Sequence, residues 1–139
     1  MINNHNVSVY SGKTPNHGSS RFIIGGSIYG KQQVSELCTK QTISLWTKES
    51  ILDARNLNLG IPEIAQLINK ALNEGEYENS QWCQNKNSGP WAACDSYAIS
   101  ISRFMLPECK EIVVTLYFKF AISRTGAALL VISNHREGS

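Results

Sequence analysis

Nowhere in this sequence does an apolar run approach the roughly 18 residues that a membrane-spanning helix requires, so no span is expected. The opening stretch MINNHNVSVYSGK is polar and Asn-rich and has no apolar core, so it does not read as a secretory signal. A cytoplasmic location is expected, a domain cut from a larger exported protein being the alternative. Charge is scarce as well. Only 17% of residues are Asp, Glu, Lys or Arg, and 13 basic residues against 11 acidic leave a net charge of +2. That balance is too small to point by itself to nucleic acid or a membrane surface. The four cysteines, Cys38, Cys83, Cys94 and Cys109, contain no C-x-x-C pair, which argues against a zinc site. Reduced, partly buried thiols are the first expectation, and a Cys83–Cys94 disulfide across the intervening Asn/Gly/Pro segment is the alternative. No G-x-S-x-G elbow and no aromatic run of the RNA-recognition type are present. Neither a cofactor nor a metal is expected.

What remains is a chain of 139 residues, 42% of them apolar, enough for one domain with one core. Val7–Tyr10 and Arg21–Ile24 read as short strands, the second broken by Gly25-Gly26. Residues 31–40 carry Val34, Leu37 and Cys38 at helical spacing, and Ile43 and Leu45 alternate as in a strand. Thr47 is a good N-cap for a helix reaching about Leu57, with Glu49 in its first turn and Asn58 and Gly60 as the stop. Pro62 suits the first position of a further helix, whose stripe Ile61, Ile64, Ala65, Ile68, Ala71 and Leu72 predicts one buried face ending at Gly75. Glu76–Ala93 is polar and turn-rich and reads as a long loop holding Trp82 and Trp91. Beyond it the period becomes two. Tyr97, Ile99 and Ile101 alternate with serines, and Ile112, Val114, Leu116, Phe118, Phe120 and Ile122 give a long antiparallel strand with a clean core face. After a turn at Arg124–Gly126, residues 127–133 are apolar on both faces. The expectation is a single two-layer α+β domain over residues 1–139, with helices in the first half packed on a mainly antiparallel sheet whose last three strands form a meander.

Three constellations carry chemistry. Gly25 and Gly30-Lys31 fit G-x-x-x-x-G-K, but Gln32 stands where a metal-holding hydroxyl is needed, and neither late strand ends in Asp. No nucleotide is therefore expected at Lys31, and Gly25-Gly26 predicts a kink. The histidines are His5, His17 and His135. Two imidazoles and a lysine suffice for metal-free RNA cleavage, one taking the 2′-OH proton, the other protonating the leaving oxygen, and the cation steadying the phosphorane. The order early His17, middle Lys119, late His135 resembles that of pancreatic-type ribonucleases. Finally, Ser100, Ser102, Arg103, Thr115, Tyr117, Lys119 and Ser123 would share a polar sheet face. Such a face resembles the one used by small toxin nucleases of the barnase-like and RelE-like kind.

Two functions follow as expectations. Incomplete motifs in a small domain favour a protein-binding or inhibitor protein, such as the immunity partner of a bacterial toxin. Its contact residues would be Trp82, Trp91, Tyr117, Arg103 and Arg124, because exposed aromatics and arginines make good anchors. The alternative is a metal-independent ribonuclease or toxin nuclease with RNA as its partner, in which His17, His135 and Lys119 are catalytic and Arg103 or Arg124 holds phosphate.

Overall fold

Residues 5–16, 18–105 and 107–137 are described by the computed structural model. Along them run β1 (Phe22–Ile23), α1 (Lys31–Lys40), β2 (Ile43–Leu45), α2 (Lys48–Asn56), α3 (Ile61–Glu74), β3 (Glu76–Gln84), β4 (Trp91–Met105), β5 (Lys110–Ile122) and β6 (Leu129–Arg136). The strands form one sheet in the order β1-β3-β4-β5-β6-β2, antiparallel except where β2 runs parallel to β6. The α+β architecture, with helices in the first half and consecutive late strands side by side, is the expected one. No helix among the described residues is long and apolar enough to cross a membrane.

The apolar stripe of α3 is fully used: Ile64, Ala65, Ile68, Ala71 and Leu72 are all buried. The helix lies chiefly over β4 and against α1. Gly75 permits that approach, since a Cβ there would sit 2.2 Å from the Ala98 carbonyl oxygen. On β5 the even positions Val114, Leu116, Phe118, Phe120 and Ile122 are buried, as the period-two pattern requires. Apolar on both faces, β6 lies inside the sheet and against α2, which accounts for burial of Leu129 through Ile132. Gly25 and Gly26 take φ of +113° and +87°, the kink expected between β1 and α1, and Lys31 opens α1.

Two expectations about the chain are corrected. Val7–Tyr10 is not a strand, residues 5–9 making only the isolated bridges Asn6↔Trp91 and Ser8↔Ser123. They wedge between the splayed ends of β4 and β5, where Trp91 N–H donates to the His5 carbonyl at 2.7 Å and Val9 N–H to that of Ile122 at 2.9 Å. The segment 76–93 is not a loop but most of a β-hairpin, with β3 pairing with β4 from Glu76↔Ala98 to Gln84↔Trp91.

Where β2 ends, α2 takes over the edge of β6. Thr47 caps α2 by accepting the Ser50 N–H at 3.0 Å, and its hydroxyl donates to the Ile132 carbonyl at 2.6 Å. Ile132 is the extra residue of a bulge against β5, so its carbonyl has no ladder partner there. Thr47→Ala removes both bonds and is expected to destabilise the fold by about 2 kcal/mol, the upper end for a lost cap. A urea melt of the variant within a few tenths of wild type would refute this role.

Candidate functional site on the open face of the sheet

The odd positions of β5 point away from the buried face. Register then fixes the neighbours: Tyr117 stands opposite His135 of β6, and Lys119 lies between Ser96 of β4 and Ser133 of β6. The Tyr117 and His135 rings are 5.6 Å apart between centroids and inclined by 34°. Two bulges flank this row. One follows Lys119 in the β5–β6 pair, and the other makes Glu78 an extra residue between Tyr77 and Asn79 of β3. Bulges bend a strand and re-aim side chains. Here the result is a cleft of about 390 Å³ lined by Glu78, Ser96, Tyr117, Lys119, Ser133 and His135, with Asn79 and Gln81 beside them.

The electrostatics are local. Ser96 Oγ is shut away from solvent and has no hydrogen-bonding partner. The Tyr117 hydroxyl donates to Glu137 Oε1 at 3.3 Å. Partial desolvation, the adjoining Glu137 and the charge of Glu78 raise the Tyr117 pKa above its usual value, so the phenol keeps its proton and serves as a donor. A neighbouring cleft toward α3 is lined by Glu74, Glu76, Glu78 and Glu137 together with Lys70. Positive charge within the Lys119 cleft itself comes from Lys119. An anionic group would find an ammonium and a phenol together, with an imidazole and a carboxylate alongside as proton carriers.

Lys119, Tyr117 and His135 are thus brought together, while His17 lies outside the described residues. The other expected contacts are not on this face. Trp82 and Trp91 are only 5% and 6% exposed, packed with Ala93, Tyr10, Ile23 and Ile28 in a small second core. They are not surface anchors, because indoles of that size release most free energy when buried. Arg103 donates to the Leu57 carbonyl at 3.1 Å, between α2 and α3, and Arg124 donates to that of Asn6 at 2.7 Å, tying down the wedge. Neither lines the cleft. Glu78 and Ser96 are the participants that the sequence did not disclose, although the serine alternation before Ser102 extends back to Ser96.

Cys83 and Cys94 are diagonal neighbours across β3 and β4, and all four cysteines are unbridged. A hydrogen bond from Cys94 holds the Cys83 thiol below its ordinary pKa, with help from the charge of Lys119. Burial pushes Cys94 well up and Cys38 to about 11. Since the thiolate is the reactive form, iodoacetamide at neutral pH is expected to modify Cys83 before Cys38 or Cys94. Peptide mass spectrometry reads the order, and prior labelling of Cys38 would contradict it.

Comparison with family models, with curated proteins and with solved structures finds no match.

Proposed function

We infer that this protein cleaves single-stranded RNA without needing a metal, in the cleft on the open sheet face. The observation that carries this reading is the convergence of Lys119, Tyr117 and His135 on one concave site. In the reaction the 2′-oxygen attacks the adjacent phosphorus, the bond to the 5′-oxygen breaks, and a 2′,3′-cyclic phosphate results. One proton must leave the 2′-hydroxyl and one must reach the 5′-oxygen. His135 and Glu78 line the cleft and are the two carriers. Lys119 and the Tyr117 phenol face the non-bridging oxygens, where charge develops. A single strand fits because its sugar–phosphate can bend into a cleft of about 390 Å³, and an unstacked base can lie on the tilted Tyr117–His135 ring pair. The protein-binding reading keeps Tyr117 as an anchor but loses both indoles, which are buried.

The test is incubation of the purified chain with total tRNA in EDTA. Fragments ending in cyclic phosphate are expected from wild type and not from a Lys119→Ala/His135→Ala double variant. Intact tRNA after prolonged incubation, or equal cleavage by the double variant, would sink the proposal.

A further inference from the structure

His135 also lines a second cleft, of about 490 Å³, between α2 and the end of β6. On α2, Glu49 and Asp53 stand one turn apart, so their carboxylates share a helix face. One oxygen from each and one imidazole nitrogen of His135 all lie within 4.8 Å of one another. Donors bound to a common metal at about 2.1 Å stand roughly 3–4 Å apart, so the trio must close only slightly. The side chain of Glu49 is exposed, and a change of rotamer can supply that movement. Asp53 is already oriented. Its Oδ2 accepts the Asn134 N–H at 3.1 Å, the kind of outer hydrogen bond that ligating carboxylates carry, and Oδ1 is left for an ion.

A separate observation points to a cation. His135 Nδ1 is closed off from solvent without a hydrogen-bonding partner. A ring nitrogen closed off without a partner calls for an explanation, and a bound ion is one. Two carboxylates one helical turn apart also repel unless positive charge lies between them. Arg136, on the wall of the same cleft, pairs with Glu108, Nη2 standing 2.5 Å from Oε2.

We propose that Glu49, Asp53 and His135 bind a divalent transition-metal cation. One imidazole with two carboxylates suits Mn²⁺, Fe²⁺ or Zn²⁺ better than Ca²⁺ or Mg²⁺, which prefer all-oxygen shells. The ion engages the ring that also lines the RNA cleft. One consequence rests on the RNA-cleaving reading: cation binding restrains cleavage rather than promoting it.

Mn²⁺ is the probe of choice, because carboxylate ligands hold it and thiols compete for it poorly. With MnCl₂ added to the isotope-labelled full chain, paramagnetic broadening is expected first at the amides of residues 49–53 and 134–136. Glu49→Gln, an exposed change that spares the fold, should require at least about tenfold more Mn²⁺ for the same broadening, as should His135→Gln. No broadening, broadening centred instead on Glu74–Glu78, or undiminished broadening in both variants overturns the site. RNA cleavage is scored separately, with and without saturating Mn²⁺. Absence of cleavage in both arms sinks the cleavage reading and leaves the broadening result to judge the metal site. Cleavage that proceeds unslowed at saturation overturns the restraint.

Discussion

Lys119→Ala is expected to lower RNA cleavage by about 10²–10³-fold, the usual loss when one preorganised partner of the developing negative charge is removed. The loss is this large because Lys119 is the cation that lines the cleft itself. The cleft beside it sets four glutamates against one lysine, Lys70, while Arg103 is committed to the Leu57 carbonyl and Arg124 to that of Asn6. Among the residues that line the catalytic cleft, no second lysine or arginine stands in for the ammonium. His135→Ala should lose about 10²–10⁴-fold, the range for a positioned proton carrier. Both side chains are only half-buried, Lys119 on the open face and His135 at the sheet edge beside α2, so thermal unfolding should move little, and the loss belongs to the chemistry. Lys119→Arg is the informative control. It keeps the charge but changes the point ammonium to a planar fork, and should recover part of the rate if charge is what matters. A Lys119→Ala enzyme within a few-fold of wild type would remove the cation from the mechanism and, with it, the reason for placing the site here.

Local pattern sufficed wherever burial is settled within an element. The α3 stripe, the even face of β5 and the Thr47 cap depend on neighbours three, two and three residues away, and each reads directly from the sequence. Tyr117 and Lys119 were legible for the same reason, since period two puts them on the face opposite Phe118. The segment 76–93 was not legible. Its first four residues, Glu76–Asn79, are exposed on both sides of the strand, so no apolar alternation marks β3. Its two indoles are buried by Tyr10, Ile23 and Ile28, which arrive from far earlier in the chain. Glu78 was invisible because the bulge that makes it an extra residue is a property of pairing, not of β3 alone. Likewise, Glu49 reads as an acidic residue suited to a helix start, and nothing in sequence brings His135 to it.

Asp95 is where the sequence was most silent and where stability should respond most. An Asp in the middle of a strand is disfavoured, yet this one is 1% exposed. Three donors converge on its carboxylate. Ile28 N–H lies 3.0 Å from both oxygens, Tyr29 N–H is 3.1 Å from Oδ2, and Ser80 Oγ donates to Oδ1 at 2.6 Å. These bonds pin the chain that follows the Gly25-Gly26 kink onto β3 and β4. Tyr29 completes the anchor by donating its hydroxyl to the Ala93 carbonyl at 2.5 Å. Burying the charge carries a desolvation penalty, and removing it would relieve that penalty. The two N–H groups left behind decide the sign, because each buried orphan donor costs about 1–3 kcal/mol and bonds to a charged acceptor are stronger than neutral ones. Asp95→Ala is therefore expected to destabilise the fold by about 3–5 kcal/mol. That is a large share of the roughly 7–20 kcal/mol available to a chain of 139 residues. Asp95→Asn keeps the shape and one acceptor oxygen but turns an NH₂ toward donors, so it should fall between the variant and wild type. Urea unfolding followed by tryptophan fluorescence measures both, since Trp82 and Trp91 pack against Ile28 of the anchored segment. A loss below about 1 kcal/mol for Asp95→Ala would mean that desolvation offsets the three bonds, and that packing of Tyr29 and Ile28 alone holds the N-terminal third on the sheet.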